Sequence, residues 1–114
     1  MIEKIILDSL NSVLNVPCYM ERPENAPEEF VLIERTSGSS ENYIQSATFA
    51  VQSYSTSLYG AAVLNEKAVN AMEGLISLNA ISKSKKETDY NFTDTSKKGY
   101  RYQAVFDITF FKGE

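Results

Sequence analysis

Apolar residues recur at helical spacing over residues 2–15, where Ile2, Ile5, Ile6, Leu10, Val13 and Leu14 alternate with Glu3, Lys4, Asp8 and Asn11. That pattern predicts an amphipathic helix of about four turns, with Pro17 as its stop. The stretch Glu21–Glu29 has no apolar period and contains Pro23 and Pro27, which predicts an exposed loop. Phe30–Thr36 follows as a β-rich run, apolar on both faces at its start, and reads as a buried strand turning polar at its end. Ser37-Gly38-Ser39-Ser40 then has the composition of a turn.

Residues 43–54 read as a long strand, in which Ala47, Phe49 and Val51 alternate with Thr48 and Gln52. The hydroxyls of Ser55-Thr56-Ser57 are suited to cap a following helix over residues 58–78. In that helix Leu58, Ala62, Val69, Met72, Leu75 and Ile76 mark the expected core face, and Asn65, Glu66, Lys67, Asn70 and Glu73 the solvent face. Ile81–Lys86 reads as a short edge strand whose lysines discourage unwanted pairing. Tyr90 and Phe92 open a further strand, and Thr93–Gly99 turns the chain. The last strand alternates most clearly: Tyr100, Tyr102, Ala104, Phe106, Ile108 and Phe110 against Arg101, Gln103, Val105, Asp107 and Thr109. The aromatics from Tyr90 to Tyr102 are read as the start of that core face rather than as a stacking platform. These elements make one α+β domain over residues 1–114, a mostly antiparallel β-sheet with two helices packed on one face.

Composition narrows the chemistry. The chain of 114 residues carries 11 Lys+Arg, 15 Asp+Glu and no histidine. Without histidine there is no Ser-His-Asp or Cys-His nucleophile and no histidine zinc site. Glycines at 38, 60, 74, 99 and 113 build neither a P-loop nor a dinucleotide fingerprint. Glu28-Glu29 and Asp89 with Asp94 fall in expected loops without ligand spacing. The pattern Ser82-Lys83-Ser84-Lys85 lacks the helix that a serine–lysine site uses. No catalytic, cofactor-binding or metal-binding residues are assigned, and a non-enzymatic protein is expected. Cys18, the single cysteine, forms no internal disulfide and reads as a small buried hydrophobe of a reducing compartment. No apolar run reaches the length of a membrane span, and the first residues do not follow a signal-peptide pattern.

The net charge of −4 argues against general nucleic-acid binding, which needs a basic face for phosphates. Its distribution is uneven. Acids dominate residues 1–57, while Lys83, Lys85, Lys86, Lys97, Lys98, Arg101 and Lys112 make residues 79–114 basic. Such a split can steer a charged partner or orient like copies head to tail.

The strand Glu29-Phe30-Val31-Leu32-Ile33-Glu34-Arg35-Thr36-Ser37-Gly38 resembles that of the small tail-completion, or tail-terminator, proteins of long-tailed bacteriophages and prophages. In that family a buried strand ends in Arg-Thr-Gly-Gly and leads to a long strand like Phe49–Ser55. An alanine-rich helix and a final strand like Tyr100–Phe106 follow, and the opening helix with Pro17 and a tyrosine also fits. One departure is visible, since Ser37 stands where the first glycine would be.

The resemblance implies a ring subunit, typically of a hexamer, that caps the tail tube and faces the head-tail connector protein. Its implied partners are other copies of itself, the tail tube protein and that connector, with no sequence-specific nucleic acid and no membrane. Its place would be the virion tail, reached from the bacterial cytoplasm during assembly. Interface candidates are Arg35, Ser37, Gly38, Ser39 and Ser40, with Lys83, Lys85, Lys86, Lys97, Lys98 and Arg101. Two other readings stand beside it: another head-tail joining or minor capsid component, and a cellular ligand-binding or regulatory α+β domain with a pocket between helix and sheet.

Overall fold

The chain, seen here in a computed structural model, is described for residues 1–41, 44–96 and 99–111. Helix α1 (Ile2–Val13) buries Ile2, Ile6 and Leu10, a single stripe at spacing four. It ends earlier than its apolar pattern suggests, with Leu14 already extended at φ −84 and ψ 149. The cause lies downstream. Asn11 bridges to Cys18, donating from Nδ2 to the carbonyl (3.2 Å) and accepting the amide at Oδ1 (2.9 Å). That clamp needs the chain to leave the helix and double back before Pro17.

Strand β1 (Cys18–Tyr19) runs parallel to β2 (Phe30–Glu41) over just Val31 and Leu32. Strand β3 (Ile44–Tyr54) returns antiparallel along the whole of β2. After helix α2 (Leu58–Glu73) and a 3₁₀ turn (Gly74–Ser77), β4 (Ile81–Asn91) and β5 (Arg101–Phe111) form a second hairpin. The sheet order is β1-β2-β3-β5-β4, and β3 pairs antiparallel with β5 at its centre.

One apolar cluster joins both helices to one face of the sheet. Phe49 and Phe106 are opposite each other across β3 and β5 and are fully buried. Val31, Val51, Ala104 and Ile108 extend this face, and Ile6, Leu10, Leu64, Ala68 and Met72 cover it. Each large side chain taken fully from water contributes about 1.5–3 kcal/mol, so this layer carries the stability of the fold. The accessible surface is 6639 Å², close to the roughly 6,300 Å² that surface scaling gives for this mass.

Several local expectations are revised. Ser37–Ser40 is not a turn but the distal part of β2, paired with Thr48, Ala47, Ser46 and Gln45 after a bulge between Arg35 and Ser37. The bulge absorbs the change from apolar to small polar residues while the ladder continues. Ile81–Lys86 and Tyr90–Phe92 are not two strands. A single strand runs from Ile81 to Asn91, held by β5 throughout, with bulges between Ile81 and Lys83 and between Lys86 and Thr88.

On α2 the pattern holds for Val69 and Met72, buried as expected, with Leu75 buried in the 3₁₀ turn that follows, but the buried face is wider than expected. Ala61, Leu64, Asn65, Ala68, Ala71 and Met72 are buried, whereas Leu58 and Ile76 are exposed. Asn65 was expected to face solvent. Alanine at three of these positions lets α2 approach the sheet closely, which sets the buried stripe by small volume rather than by hydrophobicity alone. The capping expectation holds, because Ser57 Oγ accepts the Gly60 amide at 2.9 Å.

Candidate functional site

Among the described residues no helix packs on the second face of the sheet, and strand alternation places the polar partners of the core residues on it. Thr48 lies opposite Asp107, Gln52 opposite Gln103, and Tyr54 opposite Arg101. These pairs are joined by their side chains as well as by register. Thr48 Oγ1 donates to Asp107 Oδ1 (3.1 Å), Gln52 Nε2 to Gln103 Oε1 (2.8 Å), and Arg101 Nη1 to the Tyr54 hydroxyl (2.7 Å). Tyr90 donates no core surface; it meets Gln103 on this open face.

At the distal end of this face, strands from all parts of the sheet line one concavity of about 260 Å³. Ser37, Gly38 and Ser39 come from β2, Ser46 and Thr48 from β3, Asp107 and Thr109 from β5, and Lys83 from β4. Two candidate segments far apart in the chain, the Arg35–Ser40 stretch and the lysine strand, thus converge here. Its lining is hydroxyl-rich, with one ammonium and one carboxylate that accepts from Thr48. Such a surface suits polar contacts with a second macromolecule rather than the enclosure of an apolar ligand.

The remaining candidates are distributed. Arg35 reaches to the inner side, where its guanidinium is 3.6 Å from Glu3 of α1. It also lies over Gly38, so closely that a Cβ there would collide with Arg35 Nη2. Glycine at 38 is what allows Arg35 to lie down along the strand. Lys85 is exposed on the open face beside Asp107 in register. Lys86 pairs with Asp89 at 2.7 Å, and that hydrogen bond, with the carboxylate charge, raises the ammonium pKa above its ordinary value. Ser40 belongs to β2, opposite Gln45. Lys97 and Lys98 lie outside the described residues, between Asp94 and Gly99, which bridge each other.

Arg101 belongs to the opposite, proximal end of the open face. Its guanidinium lies 4.4 Å from the Phe92 ring centre and 5.6 Å from that of Tyr54. Tyr54 stacks on Phe30 at 4.5 Å, and Arg22 covers both rings from the loop before β2. Tyr90 and Phe92 are exposed by 40% and 39%, which corrects their expected place on the core face. They fall outside it because the core alternation of β5 begins at Ala104, after the Tyr102 position. This cation–aromatic layering ties the Glu21–Glu29 loop, through Arg22, to Phe30 and Tyr54, and ties Arg101 to Tyr54 and Phe92, each contact contributing about 0.5–2 kcal/mol.

Thr48, Asp107, Arg22 and Tyr54 are absent from the interface candidates that the sequence offers. Strand alternation identifies the first two as facing away from the core. Their pairing depends on the register between β3 and β5, which composition does not encode.

The groups with chemical potential are quiet. Cys18 is buried, and burial pushes its thiol up to about 11, so it is protonated and unreactive near neutral pH. Among the described residues no three His, Cys, Asp or Glu side chains gather to hold a metal ion. Among them too, no helix is long and apolar enough to cross a membrane. Compared with known proteins, the sequence matches no family model and no curated relative.

Proposed function

We propose that the chain is a non-enzymatic phage morphogenesis protein, a tail-terminator ring subunit that caps the tail tube and joins it to the head connector. The observation that carries this reading is the resemblance running from the opening helix to the last strand. Supporting it, the elements fall in the same order: α1, Pro17 and Tyr19, buried β2, long β3, alanine-rich α2 and alternating β5. Ser37 in place of glycine fits a strand that continues through a bulge rather than turning. The open polar sheet face supplies the kind of surface an assembly part needs.

The test is electron microscopy of the protein mixed with tail tubes of long-tailed phages. Density confined to the tube's head-proximal end supports a terminator. Binding to portal or connector protein without binding to tubes favours another head-tail joining component.

A cellular ligand-binding domain is favoured by one feature, a groove of about 610 Å³ between the helices lined by Val13, Leu14, Asn70 and Ala71. It opens at the surface between α1 and α2, not between helix and sheet. A small molecule that co-purifies and raises the melting temperature would favour this reading.

A further inference from the structure

We propose that copies of this chain join head to tail by continuing the sheet, the edge of β4 in one copy pairing antiparallel with the distal edge of β2 in the next. This deepens the ring reading and rests on it, because a ring of identical subunits needs two different edges that fit each other.

Both edges are open. Strand β1 covers β2 over Val31 and Leu32 alone. Among the described residues, no backbone hydrogen bond reaches the outer side of β2 beyond them, and none reaches the outer side of β4 between Ser82 and Asn91. An unpaired edge presents a row of donors and acceptors that a further strand can satisfy. The bulges delimit the regular stretches: β4 is regular from Lys83 to Lys86, and β2 from Ser37 onward.

Strand sense suits the join. Because β2 and β5 both run antiparallel to β3, and β4 runs antiparallel to β5, β4 and β2 have opposite directions. A second copy placed beside the first in the same orientation therefore meets it through an antiparallel pair, the more stable arrangement. Lys85 and Ser39 both belong to the open face, so the joined sheet carries them on one side.

Charge chooses this contact over the symmetric ones. Strand β4 presents Lys83 and Lys85 without an ion-pair partner among the described residues. Two β4 edges brought together would oppose lysine to lysine, which destabilises a cross-strand pair. On β2, Glu34 is exposed near the open stretch, and the charge of the neighbouring Arg35 is turned to the inner side, 3.6 Å from Glu3. Lysines on β4 thus reject a second β4 and accept the edge that carries Glu34.

The experiment uses Ser39→Cys, Lys85→Cys and the double variant, with Cys18 too buried to compete. Each is treated with a short bis-maleimide, alone and on tail tubes, after circular dichroism shows native folding. Both positions are exposed. The expected result is a ladder at multiples of 12.8 kDa from the double variant, with the single variants remaining uncross-linked. Cross-linked dimers from Lys85→Cys alone would mean a symmetric contact and overturn the proposal. Oligomers in sedimentation without a ladder overturn the edge pairing and leave the ring reading intact. A ladder from a protein that never caps tubes supports the pairing and overturns the ring reading. A monomer under every condition overturns both.

Discussion

Asn11 holds Cys18 through both backbone groups, its side-chain amide serving as a one-residue strand partner. The pair is the hinge between α1 and the sheet, and it sets where the helix ends. Asn11→Ala leaves a part-buried donor and acceptor unmade, at a cost of about 1–2 kcal/mol. For a domain of this size that lowers the melting temperature by about 4–8 °C per kcal/mol. Asn11→Asp retains the acceptor for the Cys18 amide and loses the donor, so urea unfolding should place it between wild type and alanine.

Phe49 and Phe106 face each other at the centre of the sheet and are both fully buried. Truncating either to alanine should cost about 3–5 kcal/mol. The double variant should cost less than the sum, because the second truncation enlarges a cavity that already exists. Additive losses in denaturant titrations would show that the two rings act independently.

Ser53 is the opposite case. Its hydroxyl is fully buried on the core face, with no hydrogen-bond partner among the described residues. Ser53→Ala removes a group whose desolvation costs about 1–3 kcal/mol when unpaired. The substitution should therefore raise stability, read as a higher urea midpoint at unchanged slope. A lower midpoint would mean the hydroxyl has a bound water as partner.

The Cys18 thiol gives a pH signature. Its folded pKa of about 11 lies above the ordinary 9.0, so the native state keeps its proton where the unfolded state releases it. Stability is then unaffected by this group below pH 9 and falls as pH rises toward 11. Cys18→Ala should flatten that part of the curve, and the wild-type thiol should resist a maleimide at pH 8 until the protein unfolds. Rapid labelling of folded protein would contradict the burial argument.

The ion pair between Arg35 and Glu3, partly exposed and 3.6 Å long, should contribute little, about 0–1 kcal/mol. Gly38→Ala forces Arg35 to move, but its guanidinium is the free end of a long side chain. The expected loss is below about 1 kcal/mol, with Glu3→Gln in the Gly38→Ala background adding nothing more.

These outcomes show where the chain's pattern is informative. The β5 alternation from Ala104 to Phe110 is readable because a half-buried strand admits one apolar phase. Ser37–Ser40 is misread because serine and glycine favour turns in isolation, and pairing with β3 overrides that preference. Asn65 is misassigned because a polar residue on a buried stripe gives no sign of it in sequence. The polar ladders of the open face, Thr48 with Asp107 and Gln52 with Gln103, depend on register between segments about sixty and fifty residues apart.

The central pairing of β3 with β5 has a kinetic consequence. The hairpins β2–β3 and β4–β5 pair strands adjacent in the chain, but Tyr54 meets Arg101 across a separation of 47 residues. The whole of α2 lies within that loop. Closure entropy must be met before the core contacts repay it, so zippering the two preformed hairpins is the expected slow step of folding. Until then the edges that β3 and β5 turn toward each other are open, and the apolar faces of both hairpins are accessible to other chains. A nascent chain therefore passes through its most adhesive state before α2 has docked, and the helix acts as tether and cover at once.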